Sequence, residues 1–391
     1  MIRLFINGLA ASAGGGLTYL RNVIPHLARR VDTETTVLLN PALRREFGEH
    51  PKIAFVESSE SLPPWRRFVH EQTTLPKLIW QSGAQVLISA GNFALWNSPV
   101  PQILLSRNSL YTSGDFRRDV RARGDYAIWA DTFVKGWLAR RSIRCADITI
   151  APSEAFAQEL SQWSGRKVVS LHHGFDPDAF TSDAAPLPSA ARNQLEQGKD
   201  VLRLLFVSHY NYYRNFETLF RAMPILNSRL KGKQVRLFLT CRLNSGANPG
   251  TYRAESAALL ANDHRGDIVE LGTIPYRSLH QLYRACHIYV TPAYAESFAH
   301  PLIESMSSGL PVVASDLAVH REICGDAGIY FSRFSPDALA ERVLQVQQSP
   351  ELAEKLSRNG LRRACDFRWS KHVERLVILA QELVRLGRER N

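Results

Sequence analysis

Two glutamates, Glu296 and Glu304, stand eight residues apart in the run A-E-S-F-A-H-P-L-I-E-S-M-S-S-G-L-P-V-V-A-S at 295–315. The pattern reads as a loop that turns into a short helix, with Gly309 where the helix should stop and Pro311-Val312-Val313 opening a strand. A helix start presents unpaired N–H groups and the positive end of a dipole, so it can hold a phosphate. One carboxylate on the loop and one on the helix can then accept hydrogen bonds from sugar hydroxyls on either side. That is the physical outline of a site for a sugar nucleotide.

Such a site needs a scaffold. At 391 residues the chain exceeds one ordinary core, and two domains are expected. No run of about 18 apolar residues appears, so no transmembrane helix is expected. The opening M-I-R-L-F-I-N-G is too short for a signal peptide and reads as a first strand. The cysteines Cys145, Cys241, Cys286, Cys324 and Cys365 are odd in number and scattered, with no CxxC pair. This favours free thiols in a reducing compartment over disulfides or a zinc site. The formal net charge of +11 fits nucleic acid, an anionic membrane or phosphorylated substrates, and does not choose among them.

Both halves alternate short apolar strands with amphipathic helices, the signature of α/β layering. Strands are expected at 2–7, 35–39, 52–56, 85–88, 102–106 and 148–151 in the first half. After a Pro-, Ala- and Ser-rich stretch at 181–200, read as an interdomain linker, they resume at 202–207, 235–240, 268–271, 288–291 and 312–314. The domains expected are thus 1–180 and 201–371, with a final helix beginning near Trp369. Two doubly wound domains with a cleft between them follow, ligands sitting near the C-terminal strand ends. The first strand leads through Ala13-Gly14-Gly15-Gly16 into a helix, and Gly15 and Gly16 let backbone approach a ligand closely.

The run E-S-F-A-H-P-L-I-E-S-M-S-S-G-L-P-V-V-A-S resembles the E-x7-E signature of retaining glycosyltransferases of family 4, which have the GT-B fold of two facing Rossmann-like domains. The similarity extends to Glu322-Ile323-Cys324-Gly325-Asp326-Ala327-Gly328, to Ser278-Leu279-His280-Gln281-Leu282-Tyr283, and to Phe367-Arg368-Trp369 at the start of the last helix. In that family this helix, here about 372–391, packs back on the first domain. Ala151-Pro152-Ser153-Glu154 and His173-Gly174-Phe175-Asp176 match weaker landmarks.

The resemblance implies that Glu304 binds the nucleotide ribose and Glu296 the transferred sugar, while amides of Ser297, Phe298 and Ala299 hold the sugar and diphosphate. The family places an Arg and a Lys after the first strand of the second domain. Here F-V-S-H-Y-N-Y-Y-R-N-F-E puts His209 and Arg214 at those positions. Arg214 keeps the charge and can grip phosphate bidentately, whereas a neutral imidazole offers one donor. The base-contacting loop includes Gly272-Thr273-Ile274. Many relatives carry a His after a late strand of the first domain; Arg107 and Asn108 stand there instead and mark the acceptor side.

The activity expected is metal-independent transfer from a nucleotide-diphosphate sugar to a glycan or lipid-linked acceptor in bacterial surface polysaccharide or lipopolysaccharide synthesis, with no cofactor. Asp176-Pro177-Asp178 spells the manganese motif D-x-D but reads better as a turn cap, and adjacent His172-His173 on a strand point to opposite faces. Residues 117–144 combine Trp129, Phe133 and Trp137 at four-residue spacing with many arginines, a segment able to lie on an anionic membrane; Trp65-Arg66-Arg67-Phe68 adds to it. A cytoplasmic protein, peripheral on the inner face of the cell membrane, is expected. The alternatives are a sugar-nucleotide epimerase or phosphorylase on the same fold, or a degenerate protein that binds nucleotide or glycan without transfer. Nucleic acid finds no recognised module.

Overall fold

A computed structural model describes residues 1–11, 15–58, 63–182, 184–197, 200–230, 232–243 and 267–389. Ala13 and Gly14 of the glycine turn lie outside the described residues, whereas Gly15 and Gly16 open the helix Gly15–Ala28.

The strands form two parallel sheets. The first holds seven, β1 (Ile2–Asn7), β2 (Thr33–Leu39), β3 (Ile53–Glu57), β4 (Val86–Ser89), β5 (Gln102–Leu105), β6 (Ile148–Ala151) and β7 (Val168–Ser170), in the order β3-β2-β1-β4-β5-β6-β7. The second holds six, β8 (Val201–Phe206), β9 (Gln234–Leu239), β10 (Ile268–Glu270), β11 (Ile288–Thr291), β12 (Val312–Ser315) and β13 (Gly328–Phe331), in the order β10-β9-β8-β11-β12-β13. Their apolar runs are buried on both faces, as Ile103, Leu104 and Leu105 of β5 show, because helices cover both sides of a parallel sheet. In each sheet the strand order reverses once, between β1 and β4 and between β8 and β11. Ligands of open α/β sheets bind at the carboxyl ends of strands flanking such a reversal.

The chain divides into two compact units. Unit one comprises Met1–Thr112, Ala130–Gly174 and Arg368–Asn391; unit two comprises Ser113–Trp129 and Phe175–Phe367. The sequence-based division at 180 therefore misses a detour. Residues 113–129 lie among the strands of the first half in sequence but fold with unit two. The stretch 181–200, read as an interdomain linker, falls within unit two. A helix spans Ser189–Glu196 with Ala191 and Leu195 buried, and Phe180 stands edge-on to Phe175 at 5.3 Å.

Unit one closes on its last helix, Trp369–Glu389. Trp369, Val373, Leu376, Val377, Ala380 and Leu383 recur on one helical face and enter the core with Tyr19, Leu20, Val23, Ile24 and Leu27 of the helix Gly15–Ala28. Each such side chain contributes roughly 1.5–3 kcal/mol by leaving water. Gly174 sits directly under this helix: a Cβ there would come to 2.2 Å from the Trp369 amide nitrogen. Nearby, the His372 Nδ1 lies 2.7 Å from the His172 carbonyl oxygen, so that carbonyl accepts from the ring.

Candidate functional site

Unit two gathers the residues expected to hold a nucleotide sugar at the carboxyl edge of β8 and β11, on either side of its strand reversal. The loop after β8 runs through a 3-10 turn, Tyr212–Arg214, into the helix Phe216–Arg229. Asn215 joins the two in the left-handed region (φ 54°), which Asn tolerates better than most residues. Its side-chain amide donates to the Pro292 carbonyl (3.1 Å) and the Arg333 carbonyl (2.6 Å). The Tyr294 amide donates to the Tyr213 carbonyl (3.0 Å), so the loops after β8 and β11 are tied backbone to backbone.

These ties bring Arg214 to Glu296. An Arg214 guanidinium N–H donates to Glu296 Oε1, and both side chains are largely buried. The guanidinium also stacks on Tyr213, 4.7 Å from the ring centroid, and its Nε–H has no acceptor among the described residues. A planar cation with an unused buried donor, held by a carboxylate and an aromatic face, suits an anion with several oxygens.

The second carboxylate lies deeper. The helix His300–Ser307 has Pro301 in its first turn and no side-chain cap, since Ala299 occupies the N-cap in the left-handed region (φ 62°). Alanine rarely adopts that conformation, and strain of this kind is concentrated at functional sites. Gly309 ends the segment with φ 72°. Glu304, buried on this helix, accepts from the Tyr283 hydroxyl at 2.9 Å. Burial pushes its carboxyl up to about 7, and the Tyr283 hydrogen bond opposes the rise. Sugar hydroxyls donating to that carboxylate would restore the hydration that burial removed.

A stability test follows from this shift. Between the ordinary carboxylate range and about pH 7 the folded chain holds a proton at Glu304 that the unfolded chain has lost. The Glu304 contribution to stability therefore declines as pH rises through that window. Glu304→Gln, which cannot ionise, is expected to gain on wild type between pH 5 and 8 by up to about 3 kcal/mol. Paired denaturant titrations read the difference; a gap that stays constant with pH would refute it.

The remaining expected residues take varied places. His209 keeps an exposed ring whose Nε2 lies 3.1 Å from the Tyr213 hydroxyl. Desolvation and then the Arg214 charge push its pKa down, so it is neutral near pH 7. Phe298 is buried edge-on to His300 (4.9 Å) and Phe367 (5.7 Å). Ser297 and Ala299 are half-buried beside it, and Ile274 is buried after β10, two residues beyond Gly272 in its left-handed turn.

In unit one, Arg107 follows β5. Its guanidinium donates to the carbonyls of Gly15 (2.9 Å) and Ala90 (2.7 Å), and burial lowers its pKa to about 10. Gly16 makes room for it: a Cβ there would lie 2.8 Å from Arg107 Nη2. Asn108 caps the turn Ser109–Tyr111 by accepting from the Leu110 amide at 3.1 Å. Asp178 lies in the first turn of the helix Pro177–Ser182. Among the described residues no group of three or more His, Cys, Asp or Glu is placed to hold a metal ion. Among them, too, no helix is long and apolar enough to cross a membrane.

With this geometry in place, likeness to known proteins becomes informative. Residues 189–363 match the family of glycosyl transferases group 1. His209, Arg214, Ile274, Glu296 and Glu304 all fall inside the matched segment. The O-antigen chain mannosyltransferase B of Escherichia coli is 36% identical over 104 residues, 27% of each chain. A D-inositol 3-phosphate glycosyltransferase of Thermobispora bispora is 26% identical over 235 residues, 57% of this chain and 55% of the relative. The aligned stretches thus span between about a quarter and just over half of these relatives. The Anabaena protein HepE, solved in complex with UDP, superposes with a TM-score of 0.70 at 17% identity, covering 98% of this chain and 100% of that one. The fold is GT-B.

Sequence reasoning missed Tyr283 as the partner of Glu304, and Tyr213 and Asn215 as supports of Arg214. Tyr283 ends the run Ser278–Tyr283, and its 21-residue separation from Glu304 gives no sign of the bond.

Proposed function

We propose that this chain is a retaining, metal-independent glycosyltransferase that moves a sugar from a nucleotide diphosphate to a glycan or lipid-linked acceptor. The observation that carries the proposal is the Arg214–Glu296 pair together with the buried, hydroxyl-bonded Glu304, all within the matched segment. Glu304 would take the ribose hydroxyls, and Glu296 a hydroxyl of the transferred sugar. Arg214, with the amides at the start of the helix His300–Ser307, would stabilise charge growing on the leaving diphosphate. The anomeric C–O bond to phosphate breaks, the acceptor oxygen bonds that carbon on the same face, and the acceptor proton passes to the departing phosphate oxygen. This cycle needs no protein nucleophile. The positive charge it needs comes from Arg214 and the helix start, which is why we assign no metal and no cofactor.

Likeness to an O-antigen mannosyltransferase favours a surface polysaccharide or lipopolysaccharide as the product. Incubation with UDP-, GDP-, ADP- and dTDP-sugars in EDTA, with glycan and lipid-linked acceptors, tests the reading. Product whose anomeric configuration matches the donor supports it; nucleotide release no faster than without protein, for every donor, overturns it. His209, standing where the family resemblance places an arginine, is the observation behind the second reading, a nucleotide binder without transfer.

We further propose peripheral attachment to the inner face of an anionic membrane through unit one. Trp65, Phe133 and Trp137 are exposed, and Arg66 stacks over Trp65 at 5.3 Å. The ring of Trp96 stands edge-on to both Phe68 (5.4 Å) and Trp137 (6.5 Å), so the helices Pro64–Ser82 and Tyr126–Cys145 present one aromatic surface with basic margins. Flotation with anionic but not zwitterionic vesicles is expected, and Phe133→Ser with Trp137→Ser should abolish it. Equal flotation of the double variant would remove this surface from the account.

A further inference from the structure

We propose that the detour at 113–129 is a clasp that positions the Arg214–Glu296 pair, with Asp119 and Asp125 as its positioning residues. Tyr294 stands two residues before Glu296, and its hydroxyl donates to Asp119 at 2.6 Å. Tyr212 stands two residues before Arg214, and its hydroxyl donates to Asp125 at 3.1 Å. Both loops of the site are therefore moored, through equivalent tyrosines, to one short stretch of chain.

That stretch is itself braced. Arg123 donates to Asp119 (2.9 Å) and to Glu217 (3.0 Å) on the helix that follows Arg214, and its guanidinium lies 4.5 Å from the Tyr212 ring centroid. Only 11% of the Arg123 side chain is exposed, so these bonds form with little competition from water. Ser113 caps the helix Gly114–Ala122 by accepting from the Phe116 amide, and Arg333 stands between Asp115 (3.7 Å) and Asp316 (3.4 Å). The Arg333 carbonyl in turn accepts from Asn215, which closes the circuit back to the Arg214 loop. Burial and the adjacent Asp119 raise the pKa of Tyr294, so it stays a donor across the working pH range.

The circuit holds the i, i+4 pair Asp119–Arg123 largely out of water, unlike the exposed pairs that helices carry at that spacing for small gain. Its charged members converge on two loops that must place a cation and a carboxylate within hydrogen-bond reach of each other. Misplacement of such groups by about 1 Å costs on the order of a hundredfold in rate, while ground-state binding suffers less.

The clasp rests on the proposed function only for its kinetic consequence, so two measurements are needed. Amide hydrogen exchange on full-length Tyr294→Phe and Tyr212→Phe, singly and together, reads the positioning directly. Loops 208–215 and 292–299 should exchange about tenfold faster in the double variant, while the helix Pro350–Ala364 is unchanged. Tyr330→Phe, which loses a bond to the Gly325 carbonyl in the same unit, should leave both loops as in wild type. Unchanged exchange in the two loops of the double variant would overturn the clasp, as would an equal rise throughout unit two. Where donor turnover is measurable, kcat should fall by about tenfold or more with donor KM kept. Wild type without turnover would count against the proposed function alone, and the exchange result would still decide the clasp.

Discussion

Glu296→Gln is expected to lower donor turnover by about 10²–10³-fold while nucleotide affinity changes by less than about threefold. The substitution keeps an oxygen that can accept from Arg214, so the loop after β11 stays in place. What it removes is the negative charge that orients the guanidinium and, on the proposed function, accepts from the sugar. The partners act as one unit, because an Arg214 N–H donates to Glu296 Oε1 and, among the described residues, the guanidinium pairs with no other carboxylate. Arg214→Gln and the double variant should therefore each lose about as much as Glu296→Gln, not the product of the two losses. Glu296→Ala is a different experiment: it leaves the Arg214 charge largely buried and unpaired, and costs stability of about 1–3 kcal/mol. Steady-state release of nucleotide, measured beside nucleotide titration of the same samples, separates these effects. A Glu296→Gln enzyme that keeps half the wild-type rate would remove Glu296 from the mechanism.

The second large effect lies in unit one and concerns folding. Gly174→Ala places a methyl carbon 2.2 Å from the Trp369 amide nitrogen and 2.3 Å from its Cα. Both atoms are backbone, so no change of rotamer relieves the clash and the last helix must shift bodily. That shift lifts Trp369, Val373 and Leu376 out of the core they share with Tyr19 and Leu20. A loss of about 3 kcal/mol or more follows, which lowers the melting temperature of a unit of this size by roughly 6–12 °C. Gly114→Ala is the control, since a methyl there meets nothing within 4 Å, and its change should stay within about 1 kcal/mol. Calorimetry on both variants and wild type reads the difference. A Gly174→Ala protein that melts with wild type would show that the last helix does not rest on Gly174.

Much of this architecture was legible in the residues. Apolar runs such as Ile103-Leu104-Leu105 declare buried parallel strands whatever surrounds them, and all eleven expected strands are present with ends moved by at most two residues. The edge strands β7 (Val168–Ser170) and β13 (Gly328–Phe331) were missed. The site was legible where it is local. Glu296, Ala299, Glu304 and Gly309 share one loop and one helix, and the spacing itself sets their geometry.

What was illegible depends on contacts remote in sequence. His173-Gly174 and Phe367-Arg368-Trp369 stood out as separate landmarks, and only the fold shows that Gly174 is small because Trp369 lies on it. In sequence, Asp119 and Arg123 stand four residues apart in a basic stretch, with nothing to single them out. Their burial against Glu217 and Tyr294 follows from the chain folding 113–129 into unit two. The same detour takes Arg123 out of the positive charge that residues 117–144 had been expected to offer a membrane.

The most direct test of the central claim is a thermal-shift panel of UDP, GDP, ADP and dTDP, with and without EDTA, on wild type and Glu304→Ala. A ligand at a hundredfold its Kd adds about 2.7 kcal/mol to the folded state, which raises the melting point by several degrees. One nucleotide should stabilise wild type, equally in EDTA, and lose most of that effect in Glu304→Ala. No shift with any nucleotide, or a shift that survives unchanged in the variant, would contradict a nucleotide-sugar site built on Glu304.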